Sequence, residues 1–263
     1  MFRGGDAVNR GLPREANRLA ASLISTCLVH VLDSNLDDSS LKMASAVTIQ
    51  RLRAFSSCDI GDALVKLKYP FGGFLDGIAM WSPDRRAGPA RIFGPAVTVK
   101  MVAADDRTAP SPPRHFADYN EKGKVMYVQQ PKGLYSACWG GLMSTRASYL
   151  GAGGVVIDGR TRDVNEHREL GFPVFARDTS ILGSNTFTRA SEIDVPLQFK
   201  DDLWVNPGDY LIGDADGVVV IPPSLMESVV DICQERAEID EKTVEALKRG
   251  EEMGPTLKRL RKL

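Results

Sequence analysis

The chain has 263 residues, of which 43% are hydrophobic and 25% charged, so it can bury a substantial core. Its formal net charge of −1 gives no positive field for a nucleic-acid backbone or an anionic membrane surface, and we expect neither partner. The four cysteines are widely spaced, which excludes a disulfide framework and a thiolate metal site and fits a cytoplasmic location. The chain has only three histidines, which excludes a histidine-rich metal site, so a metal ion would need carboxylate ligands.

Residues 1–42 differ from the rest of the chain. Several arginines precede an apolar run over residues 19–32 that is too short to span a bilayer. The run has the outline of a signal peptide, but no small-residue cleavage pattern follows it. A mitochondrial presequence is an alternative, but such segments contain few acidic residues, and Asp6 and Glu15 count against it. We interpret residues 1–42 as an appendage, either an amphipathic helix or a targeting segment, and residues 44–263 as one domain.

The first half of this domain alternates helical and extended patterns. Two short stretches of helical spacing follow Thr48, and Ser57 or Asp59 is expected to cap the second. Residues 91–102 and 124–129 indicate strands, separated by a polar loop that contains several prolines.

The alternation continues along the chain. Residues 140–150 have helical spacing and are followed by Gly151, which is suited to end a helix. Strands are predicted over residues 154–158 and 173–176, with a helical turn from about Asp163 between them. Strands that alternate with helices predict a layered α/β fold.

The C-terminal part has its own pattern. A turn between two strands is predicted over residues 205–209, a strand over 217–222 and an amphipathic helix over 225–248. The basic tail over residues 258–262 is interpreted as a solvated helix end and not as a nucleic-acid patch.

The most informative polar residues follow the strand predicted over residues 154–158. Arg162, Asp163 and Glu166 lie where a strand ends and a helix begins, which is where ligands collect in α/β folds. Two carboxylates three residues apart can hold a hard cation, and a guanidinium matches a substrate carboxylate. The same spacing is found in a capping box, in which the two side chains bind free amides at a helix start. The capping box is therefore an alternative interpretation of Asp163 and Glu166.

A pair of glycines precedes the helix predicted over residues 140–150. Gly140 and Gly141 let backbone amides approach an anion closely, although a tight turn is the alternative interpretation. The glycine-rich residues 151–154 precede a strand and do not open a helix, so we reject a dinucleotide-binding loop there.

Other polar residues give weaker indications. His167 could act as a general base, but we expect it to be solvated. Cys138 is expected in the core, His115 in a loop, and Asp214 and Asp216 in a turn.

One long-range pattern links these segments. Gly141 is followed, after twenty intervening residues, by Arg162-Asp163-Val-Asn-Glu166. This pattern, with supporting segments at residues 94–99 and 213–222, resembles the RraA-like family and, within it, the class II 4-hydroxy-4-methyl-2-oxoglutarate aldolases. The resemblance runs from about residue 49 to the final helix.

The resemblance implies a fold, an assembly and a reaction. The fold would be a layered α/β/β domain similar to the swivelling phosphohistidine-like fold, assembled as a homotrimer or homohexamer. The reaction would be the cleavage of a 4-hydroxy-2-oxo acid to pyruvate, with oxaloacetate decarboxylation, and it would need Mg²⁺ or Mn²⁺. The alternative is a non-catalytic RraA-type regulator that binds a ribonuclease, which Arg162-Asp163-x-x-Glu166 disfavours because such a regulator need not keep a metal site.

The resemblance also implies roles for individual residues. Asp163 would be the metal ligand, Glu166 would orient the site or a metal-bound water, and Arg162 would bind the substrate and stabilise the enolate. The substrate carboxylate would be bound by the backbone amides of Gly140, Gly141, Leu142 and Met143.

Overall fold

The computed structural model describes residues 46–261. Residues 48–261 belong to one compact unit, and the appendage predicted over residues 1–42 lies outside the described residues. No helix within residues 46–261 is both long enough and apolar enough to cross a bilayer.

The described helices follow the predicted spacing. After a helical stretch at residues 46–52, they are α1 (Ser57–Lys66), α2 (Gly141–Tyr149), α3 (Val164–Leu170), α4 (Met226–Lys248) and α5 (Met253–Arg261). The prediction that Ser57 or Asp59 caps α1 was wrong. Ser56 is the cap, because its extended backbone lets its side chain accept a hydrogen bond from the Asp59 amide, and the Asp59 carboxylate accepts one from the Ser56 amide in return.

Ten strands lie within residues 46–261. They are β1 (Ala79–Ser82), β2 (Ile92–Ala103), β3 (Val125–Gln129), β4 (Gly154–Thr161), β5 (Val174–Thr179), β6 (Thr188–Ile193), β7 (Leu197–Lys200), β8 (Leu203–Val205), β9 (Tyr210–Gly213) and β10 (Val218–Ile221). The large sheet has the order β1-β5-β4-β3-β2-β9-β10, with β6 also paired to β2, while β7 pairs with β8.

The centre of the sheet confirms the predicted α/β fold. Strands β2, β3, β4 and β5 pair in parallel, and α2 and α3 form the connections from β3 to β4 and from β4 to β5. The strands predicted over residues 91–102 and 124–129 are confirmed as β2 and β3. Strands β4 and β5 each run three residues beyond their predicted ends. Strands β8 and β9 flank the turn predicted over residues 205–209. No strand was predicted for β1, β6 or β7, which are short and partly exposed and therefore lack a continuous apolar run.

The sheet has a core on each face. Alternate residues point to opposite sides, so Tyr127 and Val156 join one core while Met126 and Val155 join the other. Ala147 of α2 packs into the second core, so α2 covers that face. A third cluster joins α1 and α4 to the two C-terminal strands β9 and β10. Because β3 and β4 are parallel, their carboxyl ends share one edge, and the starts of α2 and α3 follow from it.

Candidate active site

The segment before α2 runs alongside the end of β4. Trp139 forms a parallel bridge with Thr161, the Cys138 amide donates to the Arg160 carbonyl oxygen at 3.0 Å, and the Arg162 amide donates to the Trp139 carbonyl oxygen at 3.0 Å. These bonds place Gly140 beside Arg162, which is 22 residues away in the chain. The two motifs of the sequence are therefore brought together by backbone pairing.

Asp163 has an unusual backbone and an unusual partner. It lies in the left-handed region, with φ 61° and ψ 42°, which aspartate tolerates better than most residues. Its Oδ2 atom accepts hydrogen bonds from the Gly141 amide at 2.9 Å and from Arg162 Nε at 3.2 Å. Asp163 stands at the N-terminal cap position of α3, yet its side chain makes no capping bond there. The capping-box interpretation of Asp163 and Glu166 was therefore wrong; Asp163 instead satisfies the first amide of α2.

The paired glycines are explained by the close approach of two carboxylates. A Cβ atom on Gly140 would lie 2.6 Å from Asp163 Oδ2, and a Cβ atom on Gly141 would lie 1.7 Å from Glu166 Oε2. A side chain at either position would displace the carboxylate beside it. Asp163 and Glu166 thus converge on the first turn of α2.

Two of the four amides predicted to bind a carboxylate already have partners. The Gly141 amide donates to Asp163, and the Met143 amide donates to the Gly140 carbonyl oxygen at 3.0 Å. The amides of Gly140 and Leu142 carry no hydrogen bond from within residues 46–261. Leu142 is 87% exposed, whereas Gly140 and Gly141 are buried.

The donor set suits a hard cation with few protein ligands. Oδ1 of Asp163 accepts no hydrogen bond from the described residues, and the Glu166 carboxylate is exposed. No group of three or more His, Cys, Asp or Glu side chains within residues 46–261 is arranged to hold a metal ion. Mg²⁺ commonly binds through one or two carboxylates and keeps several waters, so a pair of carboxylates is sufficient for that ion.

His167 does not lie where we expected it. It is fully buried and not solvated, and its Nε2 atom is 3.1 Å from Thr161 Oγ1. Burial lowers the pKa of His167 below its usual value of 6.5 because the charged ring would lose its hydration. The ring therefore belongs to the base of the site and does not face a ligand.

The remaining predicted positions have structural roles. Cys138 is buried as expected, and burial raises the pKa of its thiol to about 12. His115 lies before a short 3-10 turn and accepts a hydrogen bond from the Ala117 amide at 3.2 Å. Asp214 accepts bonds from the amide and the hydroxyl of Ser57 at 2.8 and 2.6 Å, so the turn that contains it holds the start of α1.

The sequence analysis missed one neighbour of Arg162. A Cβ atom on Gly183 would lie 3.0 Å from Arg162 Nη1, so the loop between β5 and β6 borders the guanidinium. Gly183 belongs to no motif and lies 21 residues from Arg162, so nothing in its local pattern could have indicated this contact.

Comparison with known proteins identifies the family of this chain. The sequence profile of the RraA-like family (Aldolase/RraA) matches residues 57–220, which include Gly140, Gly141, Arg162, Asp163 and Glu166. This chain belongs to the RraA-like family. The expected family and its mixed α/β fold are thereby confirmed.

Several family relatives have been provisionally named 4-hydroxy-4-methyl-2-oxoglutarate aldolases. One from Halalkalibacterium halodurans is 34% identical over 57% of this chain and 69% of its own length. Another, from Albidiferax ferrireducens, is 33% identical over 64% of this chain and 95% of its own length. At the family level these names support a lyase.

Solved structures share the fold of this RraA-like chain. An uncharacterized protein from Pseudomonas syringae has a TM-score of 0.68 and 25% identity, covering 80% of this chain and 96% of that protein. Streptomyces coelicolor RraAS2, described as an unusual member of the RNase ES inhibitor RraA protein family, has a TM-score of 0.62 and 24% identity, covering 77% of this chain and 96% of its own. The second likeness concerns the fold alone.

Proposed function

We propose that this protein is a divalent-metal-dependent lyase that cleaves 4-hydroxy-4-methyl-2-oxoglutarate or a similar 4-hydroxy-2-oxo acid to pyruvate, and that it also decarboxylates oxaloacetate. The observation that carries the proposal is the convergence of Asp163 and Glu166 on the glycine pair, with the Arg162 guanidinium beside them. We further propose that it acts in the cytoplasm as a homotrimer or homohexamer.

The two reactions share one chemical demand. In the retro-aldol reaction the C3–C4 bond breaks, the 4-hydroxyl loses its proton as a carbonyl forms, and the electron pair remains on the other fragment as pyruvate enolate. Protonation of that enolate at C3 gives pyruvate. Loss of CO₂ from oxaloacetate leaves the same enolate, so a site that stabilises it serves both reactions.

Arg162 is suited to bind the 2-oxo acid and to stabilise the enolate. Its side chain is 43% exposed, and Asp163 accepts a hydrogen bond from Nε at 3.2 Å, while neither Nη atom donates to a described residue. A planar guanidinium can bind a carboxylate through two parallel hydrogen bonds. The amides of Gly140 and Leu142 at the start of α2 are additional donors for that carboxylate.

Asp163 and Glu166 are the residues that would hold a divalent cation. Asp163 would be the direct ligand, and Glu166 would orient the site from the other side of the glycine pair. When bound, Mg²⁺ or Mn²⁺ supplies a Lewis acid that stabilises negative charge on the 2-oxo oxygen. The left-handed backbone of Asp163 directs its carboxylate toward α2 and away from α3, so the same turn that satisfies the Gly141 amide also presents the ligand.

The proposal is tested by measuring pyruvate with lactate dehydrogenase. We expect the wild type to form pyruvate from 4-hydroxy-4-methyl-2-oxoglutarate and from oxaloacetate with Mg²⁺ or Mn²⁺, and to stop when EDTA is added. Asp163→Asn should lower kcat at least about 100-fold, because asparagine tolerates the left-handed backbone but removes the charge.

A matched control is Asp231→Asn, which alters an exposed surface pair with Arg51 and should keep the wild-type rate. Absence of metal-dependent pyruvate formation from both substrates would reject the lyase. Capture of a ribonuclease by such an inactive wild type would instead support the regulator.

A further inference from the structure

A buried polar pair lies directly beneath the turn that carries Arg162 and Asp163. Thr161 and His167 are both fully buried, and Thr161 Oγ1 is 3.1 Å from His167 Nε2. The same hydroxyl is 3.3 Å from the Trp139 carbonyl oxygen and 3.4 Å from the Arg162 carbonyl oxygen. One hydroxyl group therefore contacts all three segments from which the candidate active site is built.

The hydrogen-bond inventory favours one direction for these bonds. His167 Nδ1 is buried and has no partner among the described residues. If Nδ1 carried the proton, a buried N–H donor would be left unsatisfied, which is rarer than a buried acceptor without a partner. With the proton on Nε2, that atom donates to the Thr161 hydroxyl, which in turn donates to the Trp139 carbonyl oxygen.

This direction gives a chain of hydrogen bonds from α3 to the segment before α2. His167 lies on the helix that also carries Glu166, Thr161 ends β4 immediately before Arg162, and Trp139 immediately precedes Gly140. The backbone adds two bonds between the same segments, from the Arg162 amide to Trp139 and from the His167 amide to the Asp163 carbonyl oxygen at 3.2 Å.

We propose that Thr161 and His167 are positioning residues, which hold Arg162 and Asp163 against the Gly140–Gly141 turn without contacting the substrate. This inference rests on the proposed function. A left-handed aspartate costs free energy relative to ordinary helical or extended backbone, so its conformation must be imposed by its surroundings. The Thr161–His167 pair supplies such bonds on the buried side of the turn, where water cannot replace them.

The experiment compares variants that keep the hydrogen bonds with variants that keep only the shape. Thr161→Val and His167→Leu remove the bonds, whereas Thr161→Ser and His167→Gln retain a hydroxyl and an N–H donor. We expect the first two to lower kcat/KM for pyruvate formation about tenfold or more, and the second two to remain within about threefold of the wild type. Thermal unfolding of all four variants identifies any that fail to fold.

A second readout does not depend on the reaction. The Gly141 amide donates to Asp163, so its hydrogen exchange, followed by NMR, reports whether Asp163 is held in place. We expect faster exchange in Thr161→Val than in Thr161→Ser. A lower melting temperature in Thr161→Val and His167→Leu with unchanged kcat/KM and unchanged Gly141 exchange would overturn the positioning role. If the wild type forms no pyruvate, the proposed reaction fails, and the Gly141 exchange rates still decide the positioning role.

Discussion

Gly141 is the residue at which the site is most tightly packed. Its missing side chain is the space that Glu166 occupies, since a Cβ atom would lie 1.7 Å from Oε2 and 2.7 Å from Cδ of that carboxylate. Its amide is held by Asp163 at the same time. Gly141 therefore contacts both carboxylates, one through the space of its missing side chain and the other through its amide.

Gly141→Ala should displace Glu166 and lower pyruvate formation about tenfold or more, while the melting temperature changes little because alanine favours a helix. The control is Gly254→Ala, where an added Cβ meets no described atom within 4 Å. Steady-state kinetics and thermal unfolding of both variants give the comparison. Full activity in Gly141→Ala would show that the position of Glu166 is not required.

At the scale of single elements, the carboxyl end of β4 carries two kinds of ion pair. Asp158 is 5% exposed, pairs with Arg177 Nε and also accepts bonds from Gln129 Nε2 at 3.3 Å and from Tyr127 at 3.5 Å. Burial, reinforced by the Asp158 charge, raises the pKa of Tyr127 well above its usual value. Arg160, two residues further along the strand, pairs with the exposed Asp178.

These two pairs should contribute very differently to stability. Asp158→Asn replaces the buried carboxylate by an amide, which accepts a weaker hydrogen bond from Arg177. We expect the free energy of unfolding to fall by about 1–3 kcal/mol. Asp178→Asn alters a 52% exposed side chain and should cost less than about 1 kcal/mol. Urea unfolding of the two variants measures both values, and equal losses would contradict the assignment of Asp158 to the interior.

At the scale of the whole molecule, one buried carboxylate fixes a junction of the large sheet. Asp209 is buried in the turn between β8 and β9, where it accepts bonds from the amide and the side chain of Asn206 at 2.8 and 3.0 Å. Its carbonyl oxygen accepts a bond from the Ala96 amide of β2 at 2.8 Å. Burial raises the pKa of Asp209 above its usual value of 3.8, and the bonds from Asn206 oppose this only in part.

This shift predicts a pH dependence of stability. Between pH 3.8 and the raised pKa, the folded protein binds more protons at Asp209 than the unfolded chain, so the contribution of Asp209 to stability is present at low pH and is lost as the pH rises through the folded pKa. Asparagine does not titrate, so Asp209→Asn removes this decrease in stability with rising pH. The free energy of unfolding of the variant minus that of the wild type should therefore increase from about pH 4 to pH 7. A difference that stays constant over this range would contradict the prediction.

The predicted fold and site depended on different kinds of information. The strands β2 to β5 were predicted because each has a continuous apolar run, which parallel strands covered on both faces require. The strands β1, β6 and β7 were not predicted, because they are partly exposed and their pairing depends on other segments. Long-range pairing carries no local pattern that a single sequence can display.

By itself the sequence determined which residue types stand at the end of β4 and at the start of α2, because a glycine pair and an Arg-Asp-x-x-Glu segment are local patterns. It could not decide between a capping box and a ligand-binding pair, nor between a solvated and a buried His167. The tertiary structure excluded the capping box, because the left-handed turn at Asp163 directs its carboxylate to another helix, and it buried His167, because α3 packs that ring against Thr161. Local spacing specifies which groups are available, whereas packing between distant segments specifies where each group points.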